Sequence, residues 1–124
     1  MNQTIGTHLT CDFYDCPTSI TGEVDEVRGL IHAVAECLQV RILQEAYQRF
    51  APVGVTGFAI VSESHIAVHT WPEYQYLALD VFSCRGALPG GFFPLVEAML
   101  QTQNYRYQLA RRTVYLPKEA PLHG

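Results

Sequence analysis

No stretch of the chain approaches the run of about eighteen uncharged residues that a membrane-spanning helix needs. The N-terminus also lacks a basic segment followed by an apolar one, so no secretory leader is expected. The four cysteines, Cys11, Cys16, Cys37 and Cys84, include no CxxC pair, and free thiols in a reducing compartment are the simpler reading. Basic residues are scattered apart from a short group near the C-terminus, and the formal net charge is -4, so the usual nucleic-acid footprint is missing. HExxH and GxSxG are absent too, which removes the zinc-protease helix and the hydrolase nucleophile elbow. These absences lead to the expectation of a soluble, cytoplasmic protein with neither a membrane nor a nucleic-acid partner.

What is present suits one compact domain spanning residues 1–124: 48% of the residues are hydrophobic and 16% charged, which argues against disorder. Charge divides unevenly, with eight acidic and three basic residues up to Glu63, and four acidic and five basic residues from Ser64 onward. Strand patterns are expected at 6–16, 40–50, 55–61, 65–71, 74–84 and 105–116, although Leu43, Ala46, Tyr47 and Phe50 in the second also fit a helical stripe. Residues 21–39 place Val24, Val27, Ile31, Val34 and Leu38 at helical spacing behind acidic Glu23, Asp25 and Glu26. A second helix is expected over 92–103, with Pro94 tolerable in its first turn.

That order predicts an α/β chain of α+β type, a two-layer sandwich with a mainly antiparallel sheet and two helices on one face. Val55, Ile60, Val68, Leu77, Leu79 and Val81 look too numerous for two helices to cover both sides of the sheet, so its second face is expected to be hidden in a homodimer, with long polar side chains or a curved sheet as the alternative shield.

Chemistry concentrates in ESHIAVH, Glu63 to His69, followed by TWPEY and, further on, DVFSC ending at Cys84. Nucleophile, base and thiol types all occur within this block. His65 and His69 as metal ligands would want a helix and a third ligand, whereas the segment reads as strand. Hydrogen-bonded structural histidines are the bland alternative. Ser64 as a nucleophile lacks the elbow of a hydrolase; attack on the carbonyl of its own preceding residue is an unusual further option beside the other two. In an unbroken strand Ser64 and His69 face opposite ways, so a joint role needs a turn or bulge near the serine.

GTHLTCDFY, FAPVGVTGFAIVSESHIAVHTWPEY and LALDVFSC together resemble three successive blocks of the prokaryotic S-adenosylmethionine decarboxylase family. The resemblance covers most of residues 6–84 and is most specific at ESHIAVHTWPE. It implies a proenzyme that cuts itself between Glu63 and Ser64, giving a β chain of residues 1–63 and an α chain from 64–124. Ser64 would become a pyruvoyl group, the electron sink for decarboxylating S-adenosylmethionine, with no metal and no pyridoxal phosphate. His69 would assist the processing and Cys84 would return a proton to the product.

The resemblance further assigns Phe50 to stacking on the adenine and Glu73 to the ribose hydroxyls, and Trp71 and Tyr74 are candidates beside the sulfonium. The implied assembly is a homodimer of cleaved αβ protomers. Val53 stands where many relatives carry histidine, and Asp15 where glycine is common, which bears on the substrate more than on the pyruvoyl chemistry. Related pyruvoyl decarboxylases of arginine or ornithine, and a non-catalytic regulatory homologue, remain alternatives. Arg106 to Arg112 reads as a solvated basic edge.

Overall fold

The computed structural model describes residues 2–84 and 86–116, so the expected tail PKEAPLHG lies outside the described residues. Six strands, β1 (Asn2–Phe13), β2 (Ile42–Arg49), β3 (Val55–Val61), β4 (Ser64–Trp71), β5 (Tyr76–Ser83) and β6 (Tyr105–Tyr115), form one sheet in the order β2-β3-β4-β5-β1-β6. Every neighbouring pair is antiparallel. Two helices, α2 (Val24–Leu38) and α3 (Phe92–Leu100), cover one face, and a single turn, α1 (Thr18–Thr21), precedes them. The mixed α+β sandwich expected from the sequence is the fold observed.

The period-three-to-four stripe of α2 buries Val27, Leu30, Ile31, Val34, Ala35 and Leu38 against the sheet. Fully burying each of the larger aliphatic side chains contributes about 1.5–3 kcal/mol. Asp25 and Glu26 lie in its first turn, where unpaired amide hydrogens favour negative charge. Contact with β3 is close because residue 57 is glycine: a Cβ there would meet Tyr47 at 2.8 Å and Val27 Cγ1 at 2.9 Å.

Local departures have tertiary causes. β1 starts at Asn2 because Asn2, Gln3 and Thr4 pair with Tyr115, Val114 and Thr113 of β6, a partner more than a hundred residues away. The strand expected at 40–50 is present at 42–49, and laddering against β3 excludes its helical alternative, leaving Leu43 on the surface and half-burying Tyr47.

The supposed surplus of apolar strand residues needs correcting. Val55, Val68, Leu77, Leu79 and Val81 are each at most 1% exposed and belong to the core under the helices; only Ile60 points the other way. Those five share one side of the pleat, so the two helices do cover them. The opposite face nevertheless carries apolar groups of its own, Phe58, Ile60 and Trp71, each about 41–42% exposed. His8, His65, Asp80 and Phe82 lie among them.

Candidate active site

β3 and β4 are joined by a two-residue turn, Ser62–Glu63, so the Glu63–Ser64 bond lies at the tip of a tight hairpin. Glu63 adopts φ 68°, the left-handed region that non-glycine residues seldom occupy. Ser64 is the first residue of β4 and pairs with buried Val61, which turns its side chain toward the helix side of the sheet.

Around the Glu63–Ser64 bond three groups converge. The Ser64 hydroxyl donates to the Glu63 carbonyl at 2.5 Å, so the hydroxyl oxygen sits beside the group it would attack. The Cys84 backbone N–H donates to that same hydroxyl oxygen at 3.1 Å. Cys84 Sγ lies 2.9 Å from the Glu63 carbonyl oxygen and is its second donor. Cys84 immediately follows β5, the strand paired with β4, and antiparallel pairing brings it to the hairpin end of Ser64. Val40, Ser62, Glu63, Ser64, Ser83 and Cys84 line a cavity of about 230 Å³ here.

His69 is elsewhere. Five residues along β4, about 17 Å at the usual strand rise, it lies on the opposite face and pairs with Thr56. The turn needed near Ser64 is present, yet it does not bring the two side chains together within one chain. Thr56 Oγ1 is 3.0 Å from His69 Nδ1, a hydrogen bond that orients the ring. Phe50, Val53, Gly54, Thr56, His69, Thr70, Trp71 and Glu73 line a cleft of about 370 Å³. Phe50, Glu73 and Trp71, chosen from the sequence for ligand contacts, therefore share one cleft with His69. Tyr74 is exposed and is not among the residues lining it. Val53, one of the two departures from the family pattern, sits in this cleft. Asp15, the other, has φ 61°, the backbone geometry that favours the glycine expected there, and accepts a hydrogen bond from Asn104 Nδ2 at 2.9 Å.

A third cluster lies on the open face. His8 Nε2 is 2.5 Å from Asp80 Oδ1 and His65 Nε2 is 3.7 Å from it, with the three ligand atoms within 4.8 Å of one another. His65 is stacked between Phe58 and Phe82, and Arg112 approaches His8 Nδ1 at 3.4 Å. His65 and His69 are not a ligand pair, because in a strand four residues separate them by about 13 Å. The neighbours of His65 come instead from β1, β3 and β5.

Sequence reasoning missed Thr56 and Ser62. Thr56 was within reach: once the turn is placed at 62–63, counting five residues back along each arm pairs it with His69. Ser62 had no such signal, since its partner is the backbone of Arg41, beyond the next strand.

Comparison with known proteins bears on the geometry. The family model for S-adenosylmethionine decarboxylase matches residues 7–113. Three proteins named S-adenosylmethionine decarboxylase proenzyme are similar over much of their length. That of Fervidobacterium nodosum is 37% identical over 96% of this chain and 90% of its own. That of Thermosipho africanus is 33% identical over 82% of this chain and 78% of its own. That of Acidithiobacillus ferrooxidans is 42% identical over 66% of this chain and 62% of its own. The crystal structure of the adenosylmethionine decarboxylase of Aquifex aeolicus superimposes with a TM-score of 0.80 at 24% identity, covering 96% of this chain and 98% of that one, a likeness of fold.

Proposed function

The chain belongs to the S-adenosylmethionine decarboxylase family, and from that premise we propose that it is a self-cleaving proenzyme whose mature form decarboxylates S-adenosylmethionine. The observation that carries this reading is the contact of the Ser64 hydroxyl with the carbonyl of Glu63. Attack of Ser64 Oγ on that carbonyl carbon, with transfer of the acyl group from nitrogen to oxygen, replaces the peptide by an ester. Elimination across Cα and Cβ of residue 64 then frees the Glu63 carboxylate and leaves a dehydroalanine, and water hydrolyses its imine tautomer, releasing ammonia and leaving a pyruvoyl group at the head of the 64–124 chain. The negative charge that builds on the Glu63 oxygen during attack meets the Cys84 thiol, a donor already at 2.9 Å.

Bound at the chain terminus, a pyruvoyl group supplies an electron sink for the carbanion left by carbon dioxide. The residues around it fit that use. Cys84 borders the same small cavity as Ser64 and is positioned to return a proton to the product carbon. Phe50, Trp71 and Glu73 offer two aromatic faces and a carboxylate for a cationic nucleoside, a combination that favours S-adenosylmethionine over arginine or ornithine.

The working unit is a homodimer. Ser64 and Cys84 stand at one end of the β4–β5 pair, and His69 with the nucleoside cleft stands at the other. Among the described residues, those lining the Ser64 cavity include no imidazole. Two copies packed through their open faces with strands running oppositely bring the Ser64 end of each toward the His69 end of the other, and cover Phe58 and Ile60. His69 then assists the elimination in the partner chain.

Intact mass and carbon dioxide release test the reading together. Two fragments divided before residue 64, the second lacking a serine amine, are expected, with release of carbon dioxide from S-adenosylmethionine and not from arginine or ornithine. An active enzyme with an uncut chain defeats the mechanism, and a permanently intact, inactive chain favours a regulatory homologue.

A further inference from the structure

Nothing in the hairpin's own sequence explains why Glu63 stays left-handed. A two-residue hairpin loop whose second position has positive φ would ordinarily take glycine or asparagine there. A glutamate costs of order 1 kcal/mol or more unless the surroundings impose the conformation. Ser62 connects those surroundings to the turn. Its N–H donates to the Arg41 carbonyl at 2.9 Å, one rung beyond the β2–β3 ladder, and its hydroxyl accepts from the Arg41 N–H at 3.2 Å.

Arg41 is itself held by what precedes it. Gln39, at φ 58°, closes the C-terminus of α2, and the Val40 N–H returns to Ala35 O at 3.0 Å. Ala35 and Leu38 are buried in the core, so the Arg41 backbone is fixed to the most firmly packed helix of the protein. On the other flank, the Cys84 N–H and thiol hold Ser64 and the Glu63 carbonyl. The bond to be broken is thus gripped from two sides: the Cys84 side touches the reacting atoms, and the Ser62 side sets the turn that presents them.

We propose that Ser62, through its reciprocal hydrogen bonds with the Arg41 backbone, is a positioning residue for self-cleavage, holding the Ser62–Glu63 turn so that the Ser64 hydroxyl stays against the Glu63 carbonyl. The proposal rests on the self-cleavage reading above. It places the action of Ser62 at the acyl shift. Ser62 Oγ touches no reacting atom, and its contribution is geometric: a small displacement of aligned reacting groups lowers rates steeply.

The test follows the first-order rate at which freshly folded, full-length chain is cut, for the parent, Ser62→Ala and Ser62→Thr. Ser62→Ala removes the acceptor for the Arg41 N–H and is expected to slow cleavage about tenfold, the effect of about 1.4 kcal/mol. Ser62→Thr keeps the hydroxyl and is expected to restore the rate to within about threefold. Hydroxylamine supplies a readout that general destabilisation does not move. It attacks the ester carbonyl, expels the Ser64 hydroxyl and leaves a Glu63 hydroxamate, so it reports how much chain has passed the acyl shift. The uncut Ser62→Ala chain is expected to resist it.

Cleavage of Ser62→Ala at the parental rate overturns the proposal. So does accumulation of a hydroxylamine-sensitive ester, which would put the defect after the shift. Equal slowing of Ser62→Ala and Ser62→Thr in step with equal losses of thermal stability assigns Ser62 to packing alone and overturns it as well. A parent chain that never cuts fails differently: it removes the self-cleavage reading, and this role with it.

Discussion

Replacing Cys84 separates the two tasks proposed for it. Its thiol is one of two donors on the Glu63 carbonyl oxygen, at 2.9 Å, while its backbone N–H, at 3.1 Å from the Ser64 hydroxyl oxygen, survives any side-chain change. Loss of a neutral hydrogen bond costs about 0.5–1.5 kcal/mol. Loss of an amide donor to a developing oxyanion costs about 2.7–4 kcal/mol. A thiol is a weak donor, so the cost should fall near the top of the first range, at about 1.4 kcal/mol. Cys84→Ala is therefore expected to cut itself about tenfold more slowly and still reach completion. Cys84→Ser keeps a donor and should cut within about threefold of the parent. In both variants the proposed proton donor for the product carbon is lost or weakened, and turnover by cleaved enzyme should fall at least a hundredfold, the usual scale of general acid catalysis. Time-resolved electrophoresis with intact mass gives the first rate, and carbon dioxide release per cleaved chain gives the second. Cleavage of Cys84→Ala at the parental rate would mean that the contact with Glu63 does nothing, and full turnover by the same variant would remove Cys84 from the reaction.

Chains bearing Ser64→Ala and His69→Ala should each remain uncut alone, but folded together they should yield cleavage of the His69→Ala chain, read by mass, because the partner supplies the missing imidazole. Absence of such rescue in a mixed dimer refutes the shared site. Gly57→Ala should lower stability by about 1–3 kcal/mol, measured by denaturant titration, since the added Cβ meets Val27 and Tyr47 inside 3.0 Å; unchanged stability would show that α2 is not seated so closely. Stability should also fall in alkali. Burial, aided by the neighbouring Asp12 and Asp15 charges, pushes the Cys11 thiol from 9.0 up to about 12 and the Cys16 thiol up to about 11. The unfolded chain releases these protons first, so their stabilisation is complete below about pH 9 and is lost as pH rises toward 11–12. Unfolding midpoints at pH 8 and pH 10 check the sign, and Cys16→Ala should show the smaller drop.

Much of the fold was legible because it depends on local periodicity. The α2 stripe, the β3 alternation and the bounds 55–61 follow from side chains within one segment. The reading fell short where the deciding partner is remote: β6 extends β1 beyond its expected start, and pairing with β3 is what settles the strand expected at 40–50 against its helical alternative. The count of apolar residues on the second face failed for a different reason. Assigning a strand residue to a face requires the register across the whole sheet, and an inventory of valines and leucines contains no register.

The site was legible as residue types and not as an arrangement. Ser64 and Cys84 meet because β4 and β5 are antiparallel neighbours, so a residue at the start of one strand falls beside the residue just past the end of the other. The same pairing carries His69 away, since each step along β4 from Ser64 is a step back along β5 from Cys84. A single chain of this topology therefore holds the nucleophile and the imidazole at opposite ends of one strand. In the homodimer proposed above, its exposed face, bearing Phe58 and Ile60 between those ends, is where a second copy would unite them. On this argument dimerisation is part of how the active site is made, and dilution that separates the copies should stop cleavage before it unfolds the chain.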